Sequence, residues 1–396
     1  MRLTDLPAEI LEAVAEYVPA KALRELAYTC SILHEVALKQ LWYQVRIDFT
    51  RAKGVTKRKK RYLEDMDRLC IHKKSSKINV FAIDCFCRRS NVIINMDEIG
   101  PLLRLHSKRP LPFDYVRRLF ISLGAYDYRF VDMFTSFKPR RCSSTFISDE
   151  IHWYNQLFSE VIPNLNLTSI LVIPVHSYTP PADMFKMVDY LATLSPAPIY
   201  MSTRCRSKKA ILGKAQLNMS NLRMVELDFT TGQYSYVRED TKSQDMLTEF
   251  LHKMAMPNLE NINLYCQTQI TAATEDFESF FSHCKTLKVL RLHGVYPFGT
   301  DHSWIPNSVT VLHFLASICN KQSKWIEPGK ESIVTTLPNV TELLLGYSNW
   351  NLLPIRPHQL SLPNLRKLIV QGGIGKVPYL DFMLQQYSQS LRDFRA

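Results

Sequence analysis

Leu259-Glu260-Asn261-Ile262-Asn263-Leu264 is the stretch on which the reading of this chain turns. Its apolar residues stand first, fourth and sixth, and the last two flank a polar one, which is the period of a strand with one buried face. The spacing returns at Leu222-x-x-Val225-x-Leu227, Leu287-x-x-Leu290-x-Leu292, Val309-x-x-Leu312-x-Phe314, Val340-x-x-Leu343-x-Leu345 and Leu365-x-x-Leu368-x-Val370. A truncated copy, Leu391-x-x-Phe394, follows, and the successive offsets are 37, 28, 22, 31, 25 and 26 residues. Weaker copies lie upstream at Val116-x-x-Leu119-x-Ile121 and Leu167-x-x-Ile170-x-Val172. Pro257-Asn258, Pro338-Asn339 and Pro363-Asn364 precede three of the motifs and read as a recurring turn before a strand.

Between motifs the period changes from two to three and four. Met246, Leu247, Phe250, Leu251 and Met254 form one helical stripe, Phe277, Phe280 and Phe281 a second, and Met184, Met187, Val188 and Leu191 a third. Strand then helix, repeated at this spacing, predicts a parallel inner sheet with helices outside, each repeat burying its face against its neighbours. Residues 78–396 therefore resemble a degenerate leucine-rich repeat solenoid, clearest over 222–396. One feature departs from that family. The asparagine or cysteine expected three residues after each motif is replaced by Thr230, Gln267, Val295, Ser317, Ser348 and Gly373, so another ladder must satisfy the turns.

The residues between and just after the buried strand positions face away from the core. They form one column, Glu226, Asn263, Arg291, His313, Leu344 and Ile369, and a second, Asp228, Tyr265, His293, Leu315, Gly346 and Gln371. The inner sheet is the usual binding face of a solenoid, so Glu226, Asp228, Asn263, Tyr265, Arg291, His293 and His313 are the candidate target-binding residues. The loops are the alternative location.

The first 45 residues have a different pattern. Leu6-Pro7-Ala8-Glu9-Ile10-Leu11 opens a helix with proline in its first turn. Ile10, Leu11, Val14, Tyr17 and Val18 read as one apolar face, and Pro19 stops the helix. A second helix runs from Ala20 to about Tyr28, with Leu23, Leu26 and Ala27 inward. A third, starting after Thr29 or Ser31, carries Leu33, Val36, Ala37, Leu38 and Leu41. Three short helices make a very small core, and such a unit gains from a partner that covers its apolar surface.

This segment resembles an F-box, the adaptor-binding module of SCF-type ubiquitin ligases, through Leu6, Pro7, Ile10, Leu11, Tyr17, Val18, Leu23, Leu26, Cys30, Val36, Ala37, Leu41 and Trp42. Many family members carry an aromatic where this chain has Leu33. The resemblance implies that Leu6, Pro7, Ile10, Leu11, Leu26, Leu41 and Trp42 serve docking to a Skp-family adaptor and, through it, a cullin ligase.

The formal net charge is +12, and residues 51–77 carry eleven Lys or Arg against three acids. Residues 46–77 thus read as a basic linker centred on Lys57, Arg58, Lys59, Lys60 and Arg61. That cluster reads as a solvated connector or a nuclear signal. Direct nucleic-acid contact is less favoured, because only Tyr62 is near enough to stack on bases. No run of apolar residues is long enough for a membrane span, and Met1-Arg2-Leu3-Thr4-Asp5 lacks an apolar leader, so the expected compartment is nucleus, cytoplasm or both.

No catalytic, metal or cofactor site is expected. Cys85-Phe86-Cys87 lacks zinc spacing and a second pair, and reads as strand residues. Gly372-Gly373-Ile374-Gly375-Lys376 has Val370 where a phosphate loop needs its first glycine, and Val377 where it needs Ser or Thr. His283-Cys284 sits where a repeat core commonly places a cysteine, with no base in evident reach. The expected function is therefore a non-catalytic substrate receptor of an SCF-type ligase, with the F-box on its adaptor and the repeats on an unknown protein substrate. The alternative is a non-degradative, adaptor-bound scaffold that touches chromatin or nucleic acid through the basic linker.

Overall fold

In the computed structural model the stretch from Asn261 to Leu264 is the start of a strand, as its alternation requires. The structure describes residues 3–49, 92–108, 110–123, 153, 155–174, 181–204, 217–230, 241–297, 302–315, 334–347, 359–372 and 380–395. The Lys57–Arg61 cluster and Cys85-Phe86-Cys87 lie outside them, as do residues 373–376 of the glycine-rich stretch. The chain is a mixed helix–strand protein with a largely parallel, solenoid-like sheet, and it divides into two units, residues 1–176 with 190–199 and residues 177–189 with 200–396.

The first unit begins with three helices, α1 (Ala8–Ala15), α2 (Ala20–Leu26) and α3 (Ser31–Trp42). Their core is Leu11, Ala15, Leu23, Val36, Ala37 and Leu41, with Leu6, Val18, Leu26, Ala27, Leu33 and Trp42 packed around it. Lys39 on α3 reaches back to Glu12 at 2.9 Å and to Glu35 at 3.3 Å, and both carboxylates raise its pKa.

α3 runs with a single intervening residue into β1 (Gln44–Phe49), which lies between β2 (Val92–Asn95) and β3 (Arg118–Leu123); β4 (Ser169–Pro174) follows β3, all in parallel. Residues 46–49, expected at the head of a linker, are thus part of the sheet. The register explains why. Val45 and Ile47 face Leu119 and Ile121, which face Ile170 and Val172, so Trp42-x-x-Val45-x-Ile47 is a further copy of the repeat motif. Trp42 packs edge-on against Phe113 with ring centroids 5.5 Å apart, which ties the helices to the strands behind them. In helix α4 (Met96–Lys108), Gly100 makes room for Trp153, whose ring would lie 2.7 Å from an added Cβ, and the Arg104 guanidinium lies 5.0 Å from that ring.

The chain passes between the units in α5 (Pro181–Leu194) and in β5 (Ile199–Arg204), where no motif is evident in the sequence. The second unit then stacks β6 (Leu222–Asp228), β7 (Asn261–Ala272), β8 (Val289–Pro297), β9 (Val311–Leu315), β11 (Glu342–Tyr347), β13 (Lys367–Gly372) and β14 (Asp393–Arg395) in parallel. A two-residue pair, β10 (Thr335–Thr336) with β12 (Leu360–Ser361), forms a separate small sheet. Val225, Ile262, Leu290, Leu312, Leu343 and Leu368 lie in register and are buried, as are Leu227, Leu264, Leu292, Phe314, Leu345 and Val370. The helical stripes close this core. Met246, Leu247, Phe250 and Leu251 lie on α6 (Thr241–Lys253) with Met254 just past its end, and Phe277, Phe280 and Phe281 on α7 (Thr274–Ser282), all buried; α8 (Leu380–Tyr387) adds Met383 and Tyr387.

The ladder missing after each strand stands before it instead. The side-chain amides of Asn258, Asn339 and Asn364 donate to the carbonyls of Ser220, Asn307 and Pro338 in the preceding turns, at 2.8, 2.7 and 2.8 Å. The Pro-Asn pairs are therefore the asparagine ladder, shifted to the turn that leads into the strand. A backbone spine runs beside it from Arg223 through Glu260, Lys288, Thr310, Thr341 and Arg366 to Arg392, each N–H donating to the preceding carbonyl.

Candidate functional site

Two surfaces carry the residues singled out above, one in each unit. On α1 the expected single apolar face is two faces. Leu11, 3% exposed, and Ala15 point into the bundle with Val18 beside them. Ile10, Val14 and Tyr17 are 48%, 47% and 81% exposed. Pro7 lies in the same stripe and is exposed, and Leu3 in the preceding turn is exposed as well. A helix apolar on both sides has one set of contacts to its own core and another left over. Of the residues that the family resemblance implied for docking, Pro7 and Ile10 are at the surface and Leu6 and Leu26 are half-buried. Leu11 and Leu41 are core, and Trp42 is against Phe113. Val14, Tyr17 and Leu3 were not singled out as surface groups. Leu11, Ala15 and Val18 form a stripe without them, but the sequence alone does not mark which of the two stripes packs inward. Tyr28 and Ile32, at the α2–α3 turn and the start of α3, add exposed apolar surface.

On the second unit the strand register aligns both expected columns without a slip: Glu226, Asn263, Arg291, His313, Leu344 and Ile369, then Asp228, Tyr265, His293, Leu315, Gly346 and Gln371. The face is more enclosed than an open concave sheet. Asn263, His313 and Leu344 are buried, and the others are half-buried apart from Gly346, which is buried under Leu315. Below β8's Gly294, whose φ of 66° only glycine adopts without strain, β7 bulges between Tyr265 and Ile270, so the paired columns end at the Asp228 row.

A polar chain crosses the face. Arg291 Nε donates to His313 Nδ1 at 3.2 Å, His313 Nε2 lies 3.1 Å from Glu342 Oε1, and Lys367 Nζ donates to Glu342 Oε2 at 2.9 Å. A guanidinium has no acceptor, so Nδ1 of His313 must accept and Nε2 carries the proton. His313 is therefore the neutral Nε2–H tautomer, and burial together with Arg291 and Lys367 lowers its pKa against the opposing pull of Glu342. His313 and Lys367 hold the Glu342 carboxyl down at about 2. Burial lowers Arg291 as well, opposed by Glu226 and Glu342, and pushes His293 down to about 4. The His293 ring meets Tyr265 edge to face, with centroids 4.4 Å apart. Glu342 and Lys367, two residues before Leu344 and Ile369, complete this chain and were not among the expected site residues. Their facing positions and opposite charges were the available sign.

Elsewhere, burial pushes the Cys284 thiol up to about 12, and its neighbour His283 holds the Ser279 carbonyl through Nδ1 at 2.8 Å. A thiol held protonated is a poor nucleophile. Among the described residues, no cluster of His, Cys, Asp or Glu is placed to hold a metal ion, and no helix is long and apolar enough to cross a membrane. No protein-family model and no curated protein matches the chain.

Proposed function

We propose that this protein is the substrate-receptor subunit of an SCF-type ubiquitin ligase, its F-box-like N-terminal helices docking a Skp-family adaptor and its leucine-rich-repeat-like sheet face holding a target protein. The receptor supplies no reacting group; it raises the local concentration of target lysines near a ubiquitin carrier held elsewhere in the assembly. The observation that supports this reading is the outward stripe of Pro7, Ile10, Val14 and Tyr17 on a helix whose inward stripe already fills a complete small core. A stripe of this kind is what an adaptor would cover within a standard interface of roughly 800 Å² a side.

The test separates the two stripes. Fully burying an isoleucine gains ~1.5–3 kcal/mol. Ile10 is already half covered, so docking has about 1 kcal/mol left to gain from it, about fivefold in affinity. This is less than the ~2–5 kcal/mol of a core truncation, the size that Ile10→Ala would have if the side chain were wholly buried at the interface. Ile10→Asp with Val14→Asp should lower adaptor affinity by more than about tenfold, read by calorimetry, while the thermal melt stays within a few degrees. Leu11→Ala should instead melt the bundle. Wild-type adaptor affinity in the double aspartate variant would end the proposal.

A further inference from the structure

We infer that the strand-entry rim of the second unit, centred on Arg366 and Arg392 and running to Lys288, is a docking surface for an acidic, extended segment of a protein partner. The rim lies upstream of the target-face columns on the same strands and needs no adaptor, so the inference goes beyond the receptor reading.

The backbone spine sets one residue of each turn side by side, in the order Glu260, Lys288, Thr310, Thr341, Arg366 and Arg392. Neighbouring strands lie about 4.8 Å apart, so Arg366 and Arg392 stand next to each other, with Lys288 about 14 Å further along. All three cations are exposed. The charges around them are answered. Lys367 is held by Glu342 at 2.9 Å and Arg395 by Asp393 at 2.9 Å, while Glu260, at the far end of the row, has Arg223 at 3.9 Å. Within the described residues, no acid and no hydrogen-bond acceptor engages the side chain of Arg366, Arg392 or Lys288. Like charges directly opposite on adjacent strands repel, so an anion laid across both arginines removes a standing repulsion.

Thr310 and Thr341, half-buried, fill the row between the cations. Each spends its hydroxyl hydrogen on a carbonyl of the row, Lys288 at 3.2 Å and Thr310 at 3.3 Å, and so presents only acceptor lone pairs. Acceptors between cations suit a peptide, whose main chain brings N–H groups between its carboxylates. The sugar–phosphate chain of DNA has no donor to place there. The cations are also spread along a line instead of converging on a point. Carboxylates four residues apart on an extended chain, about 13 Å, match that spread, and a single phosphate does not. A guanidinium grips a carboxylate through two parallel N–H groups, so the arginine end holds the segment most firmly.

The probe is a fluorescein-labelled decapeptide of alternating Glu and Thr, compared with its Gln–Thr counterpart and with a single-stranded DNA of matched charge. The protein is full length, with Lys57, Arg58, Lys59, Lys60 and Arg61 changed to Gln so that the basic linker does not capture the probes. Anisotropy should show the Glu peptide bound, less tightly as salt rises, and the Gln peptide unbound. Arg366→Gln with Arg392→Gln should weaken binding about tenfold and Lys288→Gln about threefold. Lys242→Gln, an exposed cation in the first turn of α6, controls for net charge and should stay within about twofold. A melting temperature held or raised in the double variant, whose arginine repulsion is gone, shows that it is folded. No binding of the Glu peptide, undiminished binding by the double variant, an equal loss in Lys242→Gln, or tighter binding of the DNA that the same double variant abolishes would each overturn the proposal.

Discussion

Acid should loosen the second unit well before its carboxylates titrate. His293 is ordinarily protonated below about 6.5, and burial behind Tyr265 holds it neutral down to about 4. Between those values the unfolded chain binds a proton that the folded chain refuses. Stability is therefore full above pH 6.5 and falls as pH drops towards 4, by ~1.4 kcal/mol per pH unit for one proton, to a ceiling of about 3 kcal/mol. That is a large part of the ~5–15 kcal/mol that holds a typical domain together. His313, also lowered from its ordinary 6.5 by burial, adds to the loss in the same sense. Glu342 acts in the same sense but lower down, its carboxyl being held near 2 against an ordinary 4.5, so its contribution is lost between 4.5 and 2. Urea midpoints measured from pH 7 to pH 4 should fall steadily in the wild type. In His293→Gln, which has no proton to refuse, they should fall with a slope smaller by about one proton, and the Hε1 resonance of His293 should titrate near 4. Equal slopes in the two proteins, or a resonance midpoint near 6.5, would refute the burial argument.

Two further outcomes follow from the same face. Glu342→Leu leaves the Nε2–H of His313, a residue 3% exposed, without its acceptor, and should cost ~1–3 kcal/mol in urea unfolding at pH 7, most of it recovered in a His313→Phe background. Gly346→Ala sets a methyl 2.1 Å from the tip of Leu315; because that tip is half-buried and can turn, the cost should be only about 1 kcal/mol, and Leu315→Ala should cancel it in a double-mutant cycle.

The sequence by itself determined the motif-bearing strands of the second unit and which of their residues share a side, because the strand period is two and one buried side fixes the register of the whole row. It also determined three short helices at the start. Two features were readable but unread. The Pro-Asn turns are the ladder, and Trp42-x-x-Val45-x-Ile47 is a repeat motif masked by the helix before it and the basic run after it. Only the tertiary structure decided that Leu11 belongs to the core while Ile10 and Val14 remain at the surface, since apolar residues on both sides of a helix carry no mark of which side finds a neighbour first. It alone decided that Arg291, His313, Glu342 and Lys367 form one chain. Those four lie on four different strands, and nothing in the linear order ties a side chain's length and direction to a partner some twenty to thirty residues away.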